Sequence, residues 1–178
     1  MANIIYIPWD GALATEFLAK SQQWVDTQSE QKHTRNWIIV KYKDPGLPLS
    51  NIPFGSTIYV RGHGESGKHS IQAVHSGWGD IGYDLVCDRM IADGLGRSFV
   101  GTIKFSCCNS GVPKLGSQPF AAKASQYLRL KGYLFISFVG YLGAIDGRYD
   151  YDNGDAHRHR YVNVLGTEVK SKWVQVRF

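Results

Sequence analysis

Two side chains of the sequence, His63 and Cys108, are of the types that catalyse acyl transfer, and each follows a short apolar segment. His63 comes after Ile-Tyr-Val-Arg-Gly at 58–62, and Cys108 comes after Ile-Lys-Phe-Ser-Cys at 103–107. A thiol reacts as its thiolate, so it needs a base or a proton shuttle within hydrogen-bond reach. The two residues therefore predict nucleophilic catalysis by Cys108 with the assistance of His63.

Acyl transfer also needs hydrogen-bond donors that face the developing oxyanion. Gly64 has no side chain to obstruct its backbone N–H, and the N–H of Cys108 is the natural second donor. Ligands and catalytic groups gather at the carboxyl ends of the strands in an open parallel sheet. We therefore expect His63, Gly64 and Cys108 to meet if the strands that precede them are neighbours.

The elements that must position these residues predict an α/β fold. Five apolar segments predict buried strands at 3–8, 37–42, 57–60, 102–105 and 134–142. Helical periodicity predicts helices at 12–31, 81–95 and 120–130. Residues 161–165 and 169–178, on either side of Gly166, predict a closing β-hairpin. Strands that alternate with helices indicate a mostly parallel sheet covered by helices on both sides, in one domain spanning 1–178.

Two polar segments remain between these elements. Residues 148–160 mix arginines with aspartates, which predicts a solvated loop. Residues 65–79 are rich in glycine and contain Trp78, which fits a mobile lid anchored by one aromatic ring or an ordinary ordered loop. His69 and His75 lie in this second segment and rank well below His63 as proton shuttles or metal ligands, because loop histidines are more often merely exposed.

Composition limits the partners and the compartment. The 178 residues have a net charge of +5, but lysine and arginine are scattered singly, so nucleic acid is not the expected partner. No apolar run approaches the roughly 20 residues of a membrane span, and the first residues lack the features of a Sec-type signal. Three cysteines are too few for a disulfide framework and lack zinc spacing, so we expect free thiols, no metal, and a cytosolic site of action. No nucleotide cofactor is expected, because the glycines at 62–67 do not open a helix.

The two strand ends together resemble those of the caspase-like (clan CD) cysteine peptidases. That group includes caspases, legumains and the self-processing protease domains of large bacterial toxins. Ser-Cys-Cys-Asn-Ser-Gly at 106–111 is similar to the Glu-Ala-Cys-Glu-Ser-Gly type of motif in legumains, which places the nucleophile at Cys108 and Cys107 in the small-residue position. The separation from 63 to 108 is close to the roughly 50 residues between histidine and cysteine in caspases. An error of one residue in the predicted strand register would exchange Cys107 with Cys108.

The resemblance implies a caspase-like three-layer α-β-α sandwich and a cysteine endopeptidase that cleaves a protein or peptide through a thioester. It implies no cofactor. Ser106 stands where many members have an acidic residue or glutamine that shapes the specificity pocket. Asp146 follows the next strand and would favour a basic substrate side chain, although an Asp-Gly turn is the simpler interpretation. Some toxin-derived members need a small anionic activator, which the basic composition permits.

Two other classes of function stay open at this point. A catalytically silent caspase-like domain could bind a protein or small ligand, because a fold does not guarantee an activity. A basic nucleic-acid-binding domain of unrelated fold would require steep salt dependence, and no basic cluster with interleaved aromatics supports it. The peptidase hypothesis fits an intracellular enzyme or an effector delivered into another cell by a route other than Sec.

Overall fold

The computed structural model describes residues 1–30, 36–151 and 158–178. Its strands are β1 (Ala2–Ile7), β2 (Asn36–Lys41), β3 (Thr57–Arg61), β4 (His63–Gly64), β5 (Ser70–Gln72), β6 (Ile81–Gly82), β7 (Gly101–Ser106), β8 (Ile136–Tyr141), β9 (Ala144–Tyr151), β10 (Arg158–Val164), β11 (Thr167–Lys170) and β12 (Gln175–Arg177). Its helices are α1 (Thr15–Glu30), α2 (Tyr83–Ala92) and α3 (Phe120–Leu130), with single 3-10 turns at Gly11–Ala14 and Ser171–Trp173.

A six-stranded sheet forms the centre of the molecule, in the order β12-β8-β7-β3-β1-β2. The five strands from β8 to β2 are parallel to one another, and β12 runs antiparallel to β8 at one edge. Helices α1, α2 and α3 lie in the connections between the parallel strands. The predicted α/β class and mostly parallel sheet are therefore confirmed.

Helices pack on both faces of this sheet, as the side-chain alternation of β3 makes clear. Tyr59 contacts the ring of Trp24 in α1, with centroids 5.1 Å apart. The next residue, Val60, points to the other face, where its register partner Phe105 contacts Phe120 of α3 at 5.3 Å. Both faces are thus covered by apolar side chains, each of which contributes roughly 1.5–3 kcal/mol on full burial. None of these helices, in the part of the chain that is described, combines the length and apolarity that a bilayer crossing requires.

The carboxyl-terminal hairpin is confirmed, but its second arm is shorter than predicted. Strands β10 and β11 pair antiparallel around Leu165 and Gly166, which both have positive φ angles, of 50° and 87°. Two such residues form the type I′ turn that matches strand twist in tight hairpins. After β11 the chain makes a 3-10 turn at Ser171–Trp173 and returns to the central sheet as β12.

The prediction of a loop over 148–160 is wrong at both of its ends. The backbone of 148–151 continues β9, and 158–160 begin β10, with the two strands paired antiparallel. The mixed charges of this segment suggested solvent exposure, but Tyr149 and Tyr151 are residues that favour strands. Pairing with β10 also satisfies the main-chain hydrogen bonds of β9.

The glycine-rich segment 65–79 is ordered around a small antiparallel sheet of β4, β5 and β6. Trp78 does not anchor it, because 74% of that side chain is exposed. The anchoring indole belongs to Trp9, which is 1% exposed and donates from Nε1 to the carbonyl oxygen of Gly79 at 2.8 Å. The aromatic anchor therefore comes from the end of the first strand rather than from the segment itself.

Candidate active site

His63 and Cys108 leave the sheet side by side. Their strands β3 and β7 are parallel neighbours in which Arg61 pairs with Ser106, so each candidate lies two residues beyond the last pair. A Cβ atom added to Gly64 would clash with the carbonyl oxygen of Cys108 and lie 3.0 Å from its backbone nitrogen. The ends of β3 and β7 thus lie side by side, with the backbone of Gly64 against that of Cys108, and this close approach depends on a residue without a side chain at position 64.

The adjacent cysteines have different environments. Cys107 is 1% exposed, and its thiol donates to the carbonyl oxygen of Val60 at 3.6 Å. Cys108 is partly exposed, and its sulfur accepts a hydrogen bond from the backbone N–H of Ile145 at 3.3 Å. Cys108 is thus the more accessible of these two cysteines. Cys87 is fully buried in α2, and this burial raises the pKa of its thiol far above the ordinary value.

The turn after β7 holds Cys108 by bonds to the β8–β9 connection. Asn109 has a φ of 55°, in the left-handed region that asparagine tolerates better than most residues. Its N–H donates to the carbonyl oxygen of Gly143 at 2.8 Å, and the N–H of Gly111 donates to that of Tyr141 at 2.9 Å. The backbone just after Cys108 is therefore fixed against the end of β8 and the connection that follows it.

Ser110 braces the same turn from within. Its side chain donates to the carbonyl oxygen of Phe105 at 2.7 Å and accepts from the N–H of Tyr141 at 3.1 Å. The residue is only 3% exposed, so these bonds form away from water. Ser110 thus joins the end of β7 to the end of β8.

His63 is held between two rings and a carboxylate. Its Nε2 lies 2.9 Å from Oε1 of Glu16 in the first turn of α1. The imidazole centroid is 4.8 Å from that of Phe17 and 3.8 Å from that of His75. Only 11% of the His63 side chain is exposed, so the ring has little freedom to turn.

Burial and charge set the protonation of this pair. Burial lowers the pKa of His63, nearby His75 lowers it further, and Glu16 partly opposes both effects. The hydrogen bond from Lys20 lowers the pKa of Glu16 despite its partial burial, and His63 adds to that effect. At neutral pH the site therefore contains a neutral imidazole beside an ionised carboxylate. A neutral imidazole can take up a proton during a reaction, as a general base must.

The other candidate residues from the sequence are Ser106, Asp146 and His69. Ser106 ends β7 and is 4% exposed, so little of its surface is available to a substrate. Asp146 belongs to β9, which corrects the simpler interpretation of an Asp-Gly turn, and its side chain lies outside the described residues. His69 contacts the segment before α3, with Nε2 2.7 Å from the Ser117 hydroxyl and 2.9 Å from the Gln118 carbonyl oxygen.

Three groups of this site were not predicted from the sequence. Glu16 is 47 positions from His63 in the sequence. Ser110 lies in the 106–111 motif, which is interpreted only as the site of a nucleophilic cysteine. The third, the N–H of Ile145, is a backbone group that no residue type reveals. An acidic residue in the first turn of a helix is an ordinary feature that favours the helix dipole, so the sequence pattern of Glu16 does not distinguish it.

Comparison with family models finds no match for this chain, and comparison with curated proteins finds none either.

Proposed function

We propose that this protein is a cysteine endopeptidase of the caspase-like kind, with Cys108 as the nucleophile and His63 as the proton shuttle. The observation that supports this most is the shared two-residue offset of the two side chains from the Arg61–Ser106 pair. A partly exposed thiol, a mostly buried imidazole and the backbone of Gly64 all lie just beyond the carboxyl ends of the neighbouring strands β3 and β7. These are the groups that acyl transfer needs.

In the proposed reaction the sulfur of Cys108 attacks the carbonyl carbon of a peptide bond, and the thiol proton passes to His63. The backbone N–H groups of Gly64 and Cys108 donate to the oxyanion that forms. When the C–N bond breaks, His63 gives the proton to the leaving amine and a thioester remains. His63 then takes a proton from water as the water oxygen attacks the thioester, and returning that proton releases the acid and restores the thiol.

The caspase-like three-layer sandwich is part of the same proposal. Its support is the parallel sheet with α1 over one face and α3 over the other. Within that fold the connection from β8 to β9 lies beside the thiol, since Gly143 and Ile145 bond to Asn109 and Cys108. We place the substrate side chain before the cleaved bond near this connection, where Asp146 would favour lysine or arginine.

The three free cysteines agree with action in a reducing compartment. That compartment is the cytosol of the cell that makes the protein, or of a cell that receives it by a route other than Sec. A small anion that binds lysine and arginine side chains remains the candidate activator.

A peptide library with mixed residues before the cleaved bond tests the proposal directly. The wild-type protein and Cys108→Ala are incubated with the library, with and without inositol hexakisphosphate as a small anionic probe, and products are identified by mass spectrometry. We expect cleavage by the wild type and loss of at least about a thousandfold of it in Cys108→Ala, because removing a nucleophile removes the covalent path. Cleavage that survives in Cys108→Ala would exclude Cys108, and a wild type that binds library peptides without cutting them would favour the silent binding domain.

A further inference from the structure

A carboxylate from a distant part of the chain bonds to the candidate proton shuttle. Glu16 lies in α1, between the first and second strands, whereas His63 follows the third. Their side chains meet at 2.9 Å between Oε1 and Nε2, and the same Oε1 lies 2.6 Å from Nζ of Lys20. The Lys20 pair is an ordinary i,i+4 contact on a helix surface. The His63 contact has no such local origin, because 47 positions separate the partners.

The contact determines which imidazole nitrogen has the proton. An ionised carboxylate is only an acceptor, so Nε2 of His63 must be the donor in this hydrogen bond. In the neutral ring the other nitrogen, Nδ1, then has a free lone pair. Nδ1 is therefore the atom that can accept the thiol proton, and Nε2 is not.

The two rings beside His63 restrict how the imidazole can rotate. Phe17 follows Glu16 in α1, and its ring centroid is 4.8 Å from that of His63. His75 packs against the imidazole at 3.8 Å with an angle of 34° between the ring planes. These rings limit where the imidazole plane can lie, but neither distinguishes the two nitrogens. That distinction comes from Glu16.

We propose that Glu16 is a positioning residue, which holds His63 in the Nε2–H tautomer and stabilises the imidazolium that forms while His63 holds the thiol proton. This inference rests on the proposed peptidase function. The charged and titratable groups that act on His63 are Glu16, His75 and Lys20, and Lys20 also bonds to Glu16. In this proposal Glu16 acts on the reaction through His63, at the nitrogen opposite the one that accepts the thiol proton.

Two matched variants of helix α1 test the role. Glu16→Gln replaces the carboxylate by an amide of the same size, and Asp26→Asn makes the equivalent change at an exposed position of the same helix. The ¹⁵N chemical shifts of the His63 ring report its tautomer and its pKa, independently of any activity. We expect the Nε2–H tautomer in the wild type and in Asp26→Asn. In Glu16→Gln we expect a tautomer mixture and a lower His63 pKa, because the amide can also donate and has no charge.

Kinetics on the cleaved peptide complete the test. We expect Glu16→Gln to lower kcat by about 10- to 100-fold with little change in KM. This is at or below the lower end of the roughly 10²- to 10⁴-fold that general acid–base assistance contributes, because His63 itself is still present. The acidic limb of its pH profile should move to lower pH, which a merely structural role would not cause. Unchanged ring shifts in Glu16→Gln would overturn the positioning role, whatever the activity. If the wild type cleaves nothing, the peptidase proposal fails, and the ring shifts still decide whether Glu16 sets the tautomer.

Discussion

The two ends of strands β3 and β7 differ in chemistry, although the same pair of strands forms both. At the amino ends lies a cavity of about 110 Å³, lined by Leu49, Ser50, Ile52, Phe54, Gly96, Ser98, Phe99 and Val100. None of these lining residues is titratable. At the carboxyl ends lie His63 and Cys108, held by bonds to Glu16 and Ile145.

The contrast follows from the direction of parallel strands. All five parallel strands deliver their following loops to one edge, so polar groups from distant positions collect there. The segments before β3 and β7 instead bring apolar side chains such as Leu49 and Phe99 into the core. If the carboxyl ends of β3 and β7 form the active site, substitutions there should reduce activity. Equivalent substitutions at the amino ends should leave activity unchanged.

The largest contrast is expected for alanine at two glycines, Gly64 and Gly96. A Cβ at Gly64 would clash with the Cys108 carbonyl oxygen, whereas at Gly96 its nearest neighbour would be the Ser98 hydroxyl at 3.6 Å. We expect Gly64→Ala to abolish cleavage and to lower the free energy of unfolding by about 1–3 kcal/mol through overpacking. Gly96→Ala should leave both nearly unchanged, as measured by peptide hydrolysis and urea denaturation. Equal activity in the two variants would show that the close approach of Gly64 to Cys108 is not needed for cleavage.

A smaller contrast is expected for two serines. Ser110→Ala leaves the N–H of Tyr141 without its side-chain acceptor in a buried turn, which costs about 1–3 kcal/mol. We expect a matching fall in the urea midpoint and weaker cleavage, because the turn that holds Cys108 loosens. Ser98→Ala, in the cavity lining, is the control and should retain wild-type cleavage. If Ser110→Ala were less stable but fully active, the bracing of the turn would matter for folding alone.

The smallest effect is a pH dependence of stability that belongs to the carboxyl-end site. The pKa of His63 is lowered in the folded protein, so below about pH 6.5 the unfolded chain binds more protons than the folded one. The free energy of unfolding should therefore fall as pH drops below 6.5, and His63→Gln should lose this part of the slope. Glu16, whose lowered pKa acts in the same direction, contributes only below about pH 4.5. Denaturation curves between pH 7.5 and 5 measure the first effect, and an unchanged slope in His63→Gln would contradict it.

The strand ends were predictable because short-range patterns define them. Apolar segments before His63 and Cys108 are long enough to be buried strands, and the chain order makes them neighbours in a parallel sheet. The choice of Cys108 over Cys107 comes from the resemblance of residues 106–111 to the legumain motif; in the structure Cys107 is buried and Cys108 is partly exposed.

The remaining features depend on contacts between distant parts of the chain. Glu16 reaches His63 only because α1 packs against the face of β3 that bears Tyr59, and no periodicity shows that packing. Strand β12 returns to the central sheet and pairs with β8 at its edge. The sequence pattern does not show which strand such an edge strand will pair with. By residue type Trp78 could anchor the glycine-rich segment 65–79, but it is exposed, and the buried ring that bonds to this segment belongs to Trp9.

The rate at which a thiol reagent labels Cys108 reports whether His63 activates that thiol. The folded wild type and His63→Ala are treated with iodoacetamide at pH 6, where an ordinary thiol is almost entirely protonated, and mass spectrometry locates the label. We predict that Cys108 is labelled much faster than Cys87 or Cys107, and that His63→Ala slows this labelling at least tenfold. Labelling of Cys108 at the same rate with and without His63 would show that His63 does not activate the thiol.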